Sequence, residues 1–186
     1  SNESGANQYF KGDIDEVRVF DVVLTDDQIQ QLAYQEIDNN AGNVGGKIVS
    51  KDIKDRTSGD TILWSNLVAY YPMTNILMGR TNDYSSYDNW LYINYITTIQ
   101  DQTAPMPYES TGNGSWTSES TWMHGDVWDI EDIANVSEHA IVKISSDVTV
   151  NDDIKQLGLV IDSGATLTVQ GDHLVENTWY LELDGT

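Results

Sequence analysis

Trp116, Trp122 and Trp128 recur at a spacing of six in the segment GNGSWTSESTWMHGDVWD. An even spacing puts all three indoles on one face of an extended chain. A row of aromatic rings can stack on sugar rings, or it can close the end of an apolar stack, and the residues alone leave both readings open. Asp126, Asp129, Glu131 and Asp132 follow as the densest acidic cluster of the chain. Carboxylate oxygens in a loop are the hard ligands that calcium takes, so calcium is the cofactor this cluster would hold, although no EF-hand loop is present. His124, His139 and His173 have no metal-ligand spacing among themselves, and His124 reads as a hydrogen-bonded structural residue. There is no HExxH, no GxSxG and no phosphate-cradling glycine loop. Acidic pairs occur (Asp13 with Asp15, Asp26 with Asp27, Asp152 with Asp153), but in a chain with 30 acidic residues such pairs arise by chance. Glycosidase chemistry needs two carboxylates held across a cleft, one with a raised pKa, and nothing marks such a pair. No catalytic activity is expected of this chain.

Composition bounds the partners. The 186 residues include 30 acidic and 9 basic side chains, for a net charge of -21. Such a chain repels nucleic acid and anionic membranes, because binding phosphates requires clustered Lys and Arg. Lys47, Lys51, Lys54 and Arg56 do crowd together, but with Asp52 and Asp55 among them, as in a solvated hairpin. The absence of Cys excludes disulfides, zinc–thiolate sites and thiol catalysis. No apolar run approaches a membrane span, so no membrane insertion is expected. The opening residues do not read as a signal peptide, so for an exported protein the signal is expected outside this sequence.

The elements that must position these residues begin at residues 10–32. Gly12 and Asp13 read as a turn, and the β-branched and aromatic run from Ile14 to Phe20 as a strand. Glu16 and Arg18 share one face and can pair along it. Thr25 with Gln28 makes a capping box, and Leu24 with Ile29 a hydrophobic staple. Ile29, Leu32 and Ala33 are the expected apolar face of the helix. Residues 38–46, DNNAGNVGG, read as a flexible linker. Residues 47–49 and 61–64 are strand candidates around the turn SGD, and LVAYYPM is a strand ended by Pro72. Residues 82–89 read as a Tyr-, Ser- and Asn-rich loop, 90–99 as a strand and 100–108 as a proline-bearing connector. From Ala140, short strands (AIVKI, DVTV, LGLVI, ATLTV, TWYLEL) alternate with Gly- and Asp-rich corners, the rhythm of a β-sandwich or a β-solenoid. Val160, Leu167, Val169, Leu181 and Leu183 are expected to face inward, with no helix in residues 156–169.

The pattern F-x-G-x-IDEVR-V-F-x-x-x-L-T-x-x-Q-I resembles the closing strand and helical turn of laminin-G-like, or concanavalin-like, jelly-roll domains of bacterial surface proteins. LVAYYP is similar to the first strand of the same family. LVAYYPMTNI, ITTIQDQTAPMPYES, TWMHGDVWDI and TWYLELDGT together resemble a segment of very large surface proteins of gliding and marine Bacteroidetes. The resemblance implies a secreted or cell-surface protein exported by the type IX secretion system, with secretion machinery, other surface proteins or glycans as partners. It also implies one calcium in the jelly roll, held mostly by strands that would precede the first residue here.

The expected class is all-β. Residues 1–37 are read as the end of a laminin-G-like domain, 38–63 as a linker or hairpin and 64–108 as a reduced β connector. Residues 109–186 are read as a Trp-rich segment leading into solenoid-like repeats. The first strand has no sheet in the nine residues before it, and the last rung shows no cap, so the chain is expected to be a piece of a longer protein. The expected function is a non-catalytic, adhesin-like segment. The alternatives are a carbohydrate-binding module using Trp116, Trp122 and Trp128, and an accessory region of a polysaccharide-degrading enzyme.

Overall fold

A computed structural model describes residues 10–12, 14–33, 35–96, 108–123 and 140–186. The fold is all-β, with a single α-helix among the described residues. Strand β1 (Val17–Phe20) is entered through Glu16, which holds a left-handed φ of 51°. Helix α1 (Asp26–Ala33) begins as expected: the Gln28 N–H donates to Thr25 Oγ1 at 3.3 Å and the Thr25 N–H to Gln28 Oε1 at 3.0 Å. Its buried face differs from the expected one. Gln28, Gln31 and Leu32 turn inward, while Ile29 is half exposed. The reason is the irregular backbone that the helix covers: Gln31 donates to Lys54 O at 2.7 Å and accepts the Lys54 N–H at 3.2 Å. Gln35, just past the helix, accepts the Val49 N–H at 3.0 Å. Amide side chains can do both, and an apolar side chain would leave those buried groups unpaired.

Residues 38–46 form no linker. Strands β2 (Ile37–Asn40) and β3 (Asn43–Gly46) pair as a tight hairpin. Ala41 and Gly42 both take positive φ, as a two-residue hairpin turn of the primed kind requires, and Asn39 Oδ1 accepts the Gly42 N–H. The expected strand at 47–49 is also absent. Residues 52–63 instead fold back onto β3 through single bridges, Gly45 to Asp52 and Asn43 to Leu63. Two of the four basic residues here are ion-paired, Lys47 with Glu36 and Arg56 with Asp27.

Strand β4 (Leu67–Tyr71) ends at Pro72 and pairs antiparallel with β1, from Val17 against Tyr71 to Phe20 against Leu67. The opening strand therefore has its partner within this chain. Leu32, Ile37, Val44, Ile53, Ile62, Trp64, Leu67 and Tyr70 form one core with Phe20 and Leu24 against it. That core draws on residues from both sides of positions 37 and 63. Beyond β4, the small strands β5 (Ile76–Leu77), β6 (Arg80–Thr81) and β7 (Leu91–Tyr92) make an antiparallel meander. Of the strand expected over residues 90–99, the described residues hold only Leu91 and Tyr92.

The last part is a parallel stack. Strands β8 (Tyr108–Glu109), β10 (Ile141–Ile144), β12 (Ile154–Ile161) and β14 (Val175–Leu183) build one sheet. Strands β9 (Gly114–Ser115), β11 (Val148–Val150) and β13 (Leu167–Val169) build a second. Each rung contributes to the first sheet and three of them to the second in the same order, with every pairing parallel. This is a β-solenoid, and residues 156–169 hold no helix. Val142, Ile144, Val148, Val150, Leu159 and Ile161 fill its interior, which Leu167 joins as expected. Val160 does not. It is in register with Lys143 on the outer face, and Leu159 and Ile161 point inward in its place. Val169, Leu181 and Leu183 share columns with Val150, Leu159 and Ile161, but are 43%, 51% and 61% exposed.

The two halves meet on the outer face of the larger sheet. Val49 packs with Ile141 and Leu157, flanked by Ile48, Trp179 and Tyr180. Gly158 lies in this seam, its α-carbon facing Val49 and Tyr180. Arg56 Nη1 donates to Thr178 O at 3.2 Å across it.

Candidate functional site

The two described tryptophans of the expected aromatic row are interior. Trp116 is 1% and Trp122 4% exposed. The rings meet edge to face at 5.1 Å, Tyr108 lies edge-on to Trp122 at 5.9 Å, and the Trp122 indole N–H donates to Trp116 O at 2.8 Å. Thr121 Oγ1 fills the space where a side chain at Gly114 would sit. Both indoles pack into the core of the solenoid. Trp128, the cluster Asp126, Asp129, Glu131 and Asp132, His124 and His139 all lie outside the described residues. Among the described residues, no group of three or more metal-ligating side chains converges. None of the described helices is long and apolar enough to cross a membrane, which says nothing of strands.

A shallow cleft of about 540 Å³ runs over the outer face of the smaller solenoid sheet, lined by Asn113, Ser115, Asp147, Thr149, Asn151 and Gln170. Its polar groups largely satisfy one another. Ser115 Oγ donates to Asn151 Oδ1 at 2.9 Å, and the Asp147 N–H donates to Asn113 Oδ1 at 3.0 Å.

A more distinctive surface belongs to the meander β5–β6–β7. It is organised from beneath by Asp83, whose buried carboxylate accepts four bonds. The Tyr70 and Ser85 N–H groups donate to Oδ1, each at 2.8 Å, and the Ser85 hydroxyl and Asn89 N–H to Oδ2, each at 2.9 Å. Burial pushes this carboxyl up, but the converging donors outweigh it and hold it below its ordinary value of 3.8. The loop 83–89 is thus strapped along β4, a strap completed by Tyr71 Oη donating to Asn89 O at 3.0 Å. The turn between β5 and β6 is equally defined, with Met78 and Gly79 both at positive φ.

The outward row of the meander follows from its register: Leu77 opposes Arg80, and Arg80 opposes Tyr92. Trp90 lies on the same face by the two-residue period of the chain. The Arg80 guanidinium sits 4.6 Å from the Tyr92 ring centroid and 5.6 Å from that of Trp90, within cation–π range. Trp90 is 56% and Tyr92 61% exposed. The residue order hides this surface, because Arg80, Trp90 and Tyr92 are separated by a loop whose return path is dictated by Asp83. The density of Tyr and Trp over residues 84–95 was its one visible signal.

Comparison with family models, with characterised proteins and with solved structures returned no match.

Proposed function

We propose that this chain is a non-catalytic, adhesive segment of a large secreted bacterial cell-surface protein, exported by the type IX secretion system. The structural observation that supports it is the seam at Val49, Ile141 and Leu157. It joins a parallel solenoid to a second β unit through apolar contact, which suits a rigid spacer that holds surfaces outward. The resemblance of residues 10–32 and 64–186 to laminin-G-like and type IX-exported surface proteins supports the setting. The test is immunolabelling of intact source cells with antibodies raised against this chain. Surface label that disappears when the type IX translocon is inactivated is the expected result. Label confined to the cell interior in both strains would overturn the reading. A carbohydrate-binding role is favoured by one observation, the exposed Trp90–Arg80–Tyr92 face, rather than by the buried Trp116 and Trp122.

A further inference from the structure

We infer that Arg80, Trp90 and Tyr92 form a binding site for a short acidic oligosaccharide, one carrying a uronate carboxylate. Two independent features point to this class. The first is the pair of exposed rings, which offer the flat apolar surface that the C–H face of a pyranose covers. The second is the guanidinium that stacks on both. The other two arginines, Arg18 and Arg56, are both ion-paired. Arg80 has no carboxylate and no hydrogen-bond acceptor among the described residues, although the chain holds 30 acidic side chains. Arg80 is exposed, and among the described residues its planar fork of N–H donors is engaged only by stacking on the two rings. A carboxylate is the group that this fork binds in a two-point geometry.

The site is also preorganised. The Tyr92 backbone is cross-strand from Arg80, and the loop that delivers Trp90 is pinned by the four bonds to Asp83. Ordering costs on binding are correspondingly reduced. The net charge of -21 repels a long polyanion as a whole, so the fit is to a single acidic sugar or a short oligomer with one such unit.

This inference rests on the adhesive reading only in supposing that the segment meets glycans outside the cell, and it is tested in solution on the whole chain. A trisaccharide containing one uronate is titrated against the same trisaccharide with the carboxyl reduced to hydroxymethyl. The uronate form should bind about tenfold more tightly or better, a difference the guanidinium must supply. Arg80→Gln should bring the uronate form down to the level of the reduced one, with the reduced sugar unaffected. Arg80→Lys should recover part of the loss, and Trp90→Ala should weaken both sugars. Because all three side chains are exposed, unchanged melting curves will separate these effects from misfolding. Equal binding of the two sugars, indifference to Arg80→Gln, or no binding of either at millimolar concentration would overturn the site. Loss of sugar binding with surface labelling intact rejects this site alone, and internal labelling with sugar binding intact rejects the export reading alone.

Discussion

Asp83 ties strand β4 to the loop that carries the aromatic face, through a carboxylate that is ionised and fully bonded. Hydrogen bonds to a charged group are worth roughly 1.5–3 kcal/mol each and are not additive. Asp83→Asn should therefore cost about 2–3 kcal/mol in urea unfolding at neutral pH. Because the folded carboxyl titrates below its ordinary value of 3.8, its contribution is present above that pH and lost as pH falls below it. The gap between wild type and Asp83→Asn should thus narrow as the titration is repeated at progressively lower pH. Nothing singled out Asp83 among 30 acidic residues in the sequence: Ser85 and Asn89 are local partners, but the bond that ties the loop to β4 comes from Tyr70, thirteen positions earlier. Gln31 is a second such case: its helical position is legible, but the backbone it serves lies 23 residues on. Gln31→Leu keeps the bulk and strands the Lys54 amide and carbonyl. A loss of about 2–4 kcal/mol is expected in the same assay.

Local elements were legible where their causes are local. The capping box at Thr25 and Gln28 forms as its spacing dictates, and Thr25→Ala should lower stability by about 1 kcal/mol in a thermal melt. The hairpin at residues 37–46 was not legible. Its strands are Asn- and Gly-rich, and it is held by partners elsewhere: the Val44 N–H donates to Ile62 O at 2.8 Å, and Val44 O accepts the Ile53 N–H at 2.8 Å. The solenoid shows both outcomes. Corners such as DSG mark the rungs, yet Val160 faces outward where an inward position is expected. Strand β12 is buried at seven of its eight positions. A strand covered on both sides has no polar alternation from which to read its faces.

That double burial is itself a whole-molecule effect, because the second cover of β12 is the first half of the chain. Val49, which composition placed beside a solvated basic hairpin, is fully buried against Ile141 and Leu157. The wild-type chain should melt in one transition by calorimetry if the seam couples its halves. Val49→Asp places an unpaired carboxylate there, at a cost that burial of a lone charge makes prohibitive. The expected result is two separated transitions, with the solenoid and the helix-bearing half unfolding independently. A single transition in the variant would show that the halves are coupled by other contacts. Docking over such sequence distance leaves no periodic trace, which is why the halves read as separate modules.

Gln31 of α1 and Gln35 just past it have a consequence for how the backbone exchanges with solvent deuterium. The amide hydrogens of Val49 and Lys54 are shielded by the side chains of Gln35 and Gln31, with no strand ladder on that bond. Val44 and Ile53, by contrast, are bonded main chain to main chain. The isotope uptake of Lys54 is therefore a clock for the helix lifting off, that of Val49, which also lies in the seam, a clock for the seam opening as well, and that of Val44 and Ile53 a clock for opening of the β-sheet core. In a Thr25→Ala protein the Lys54 amide should speed up while Val44 and Ile53 keep their wild-type rates, making α1 the separately detachable part of an otherwise joined core.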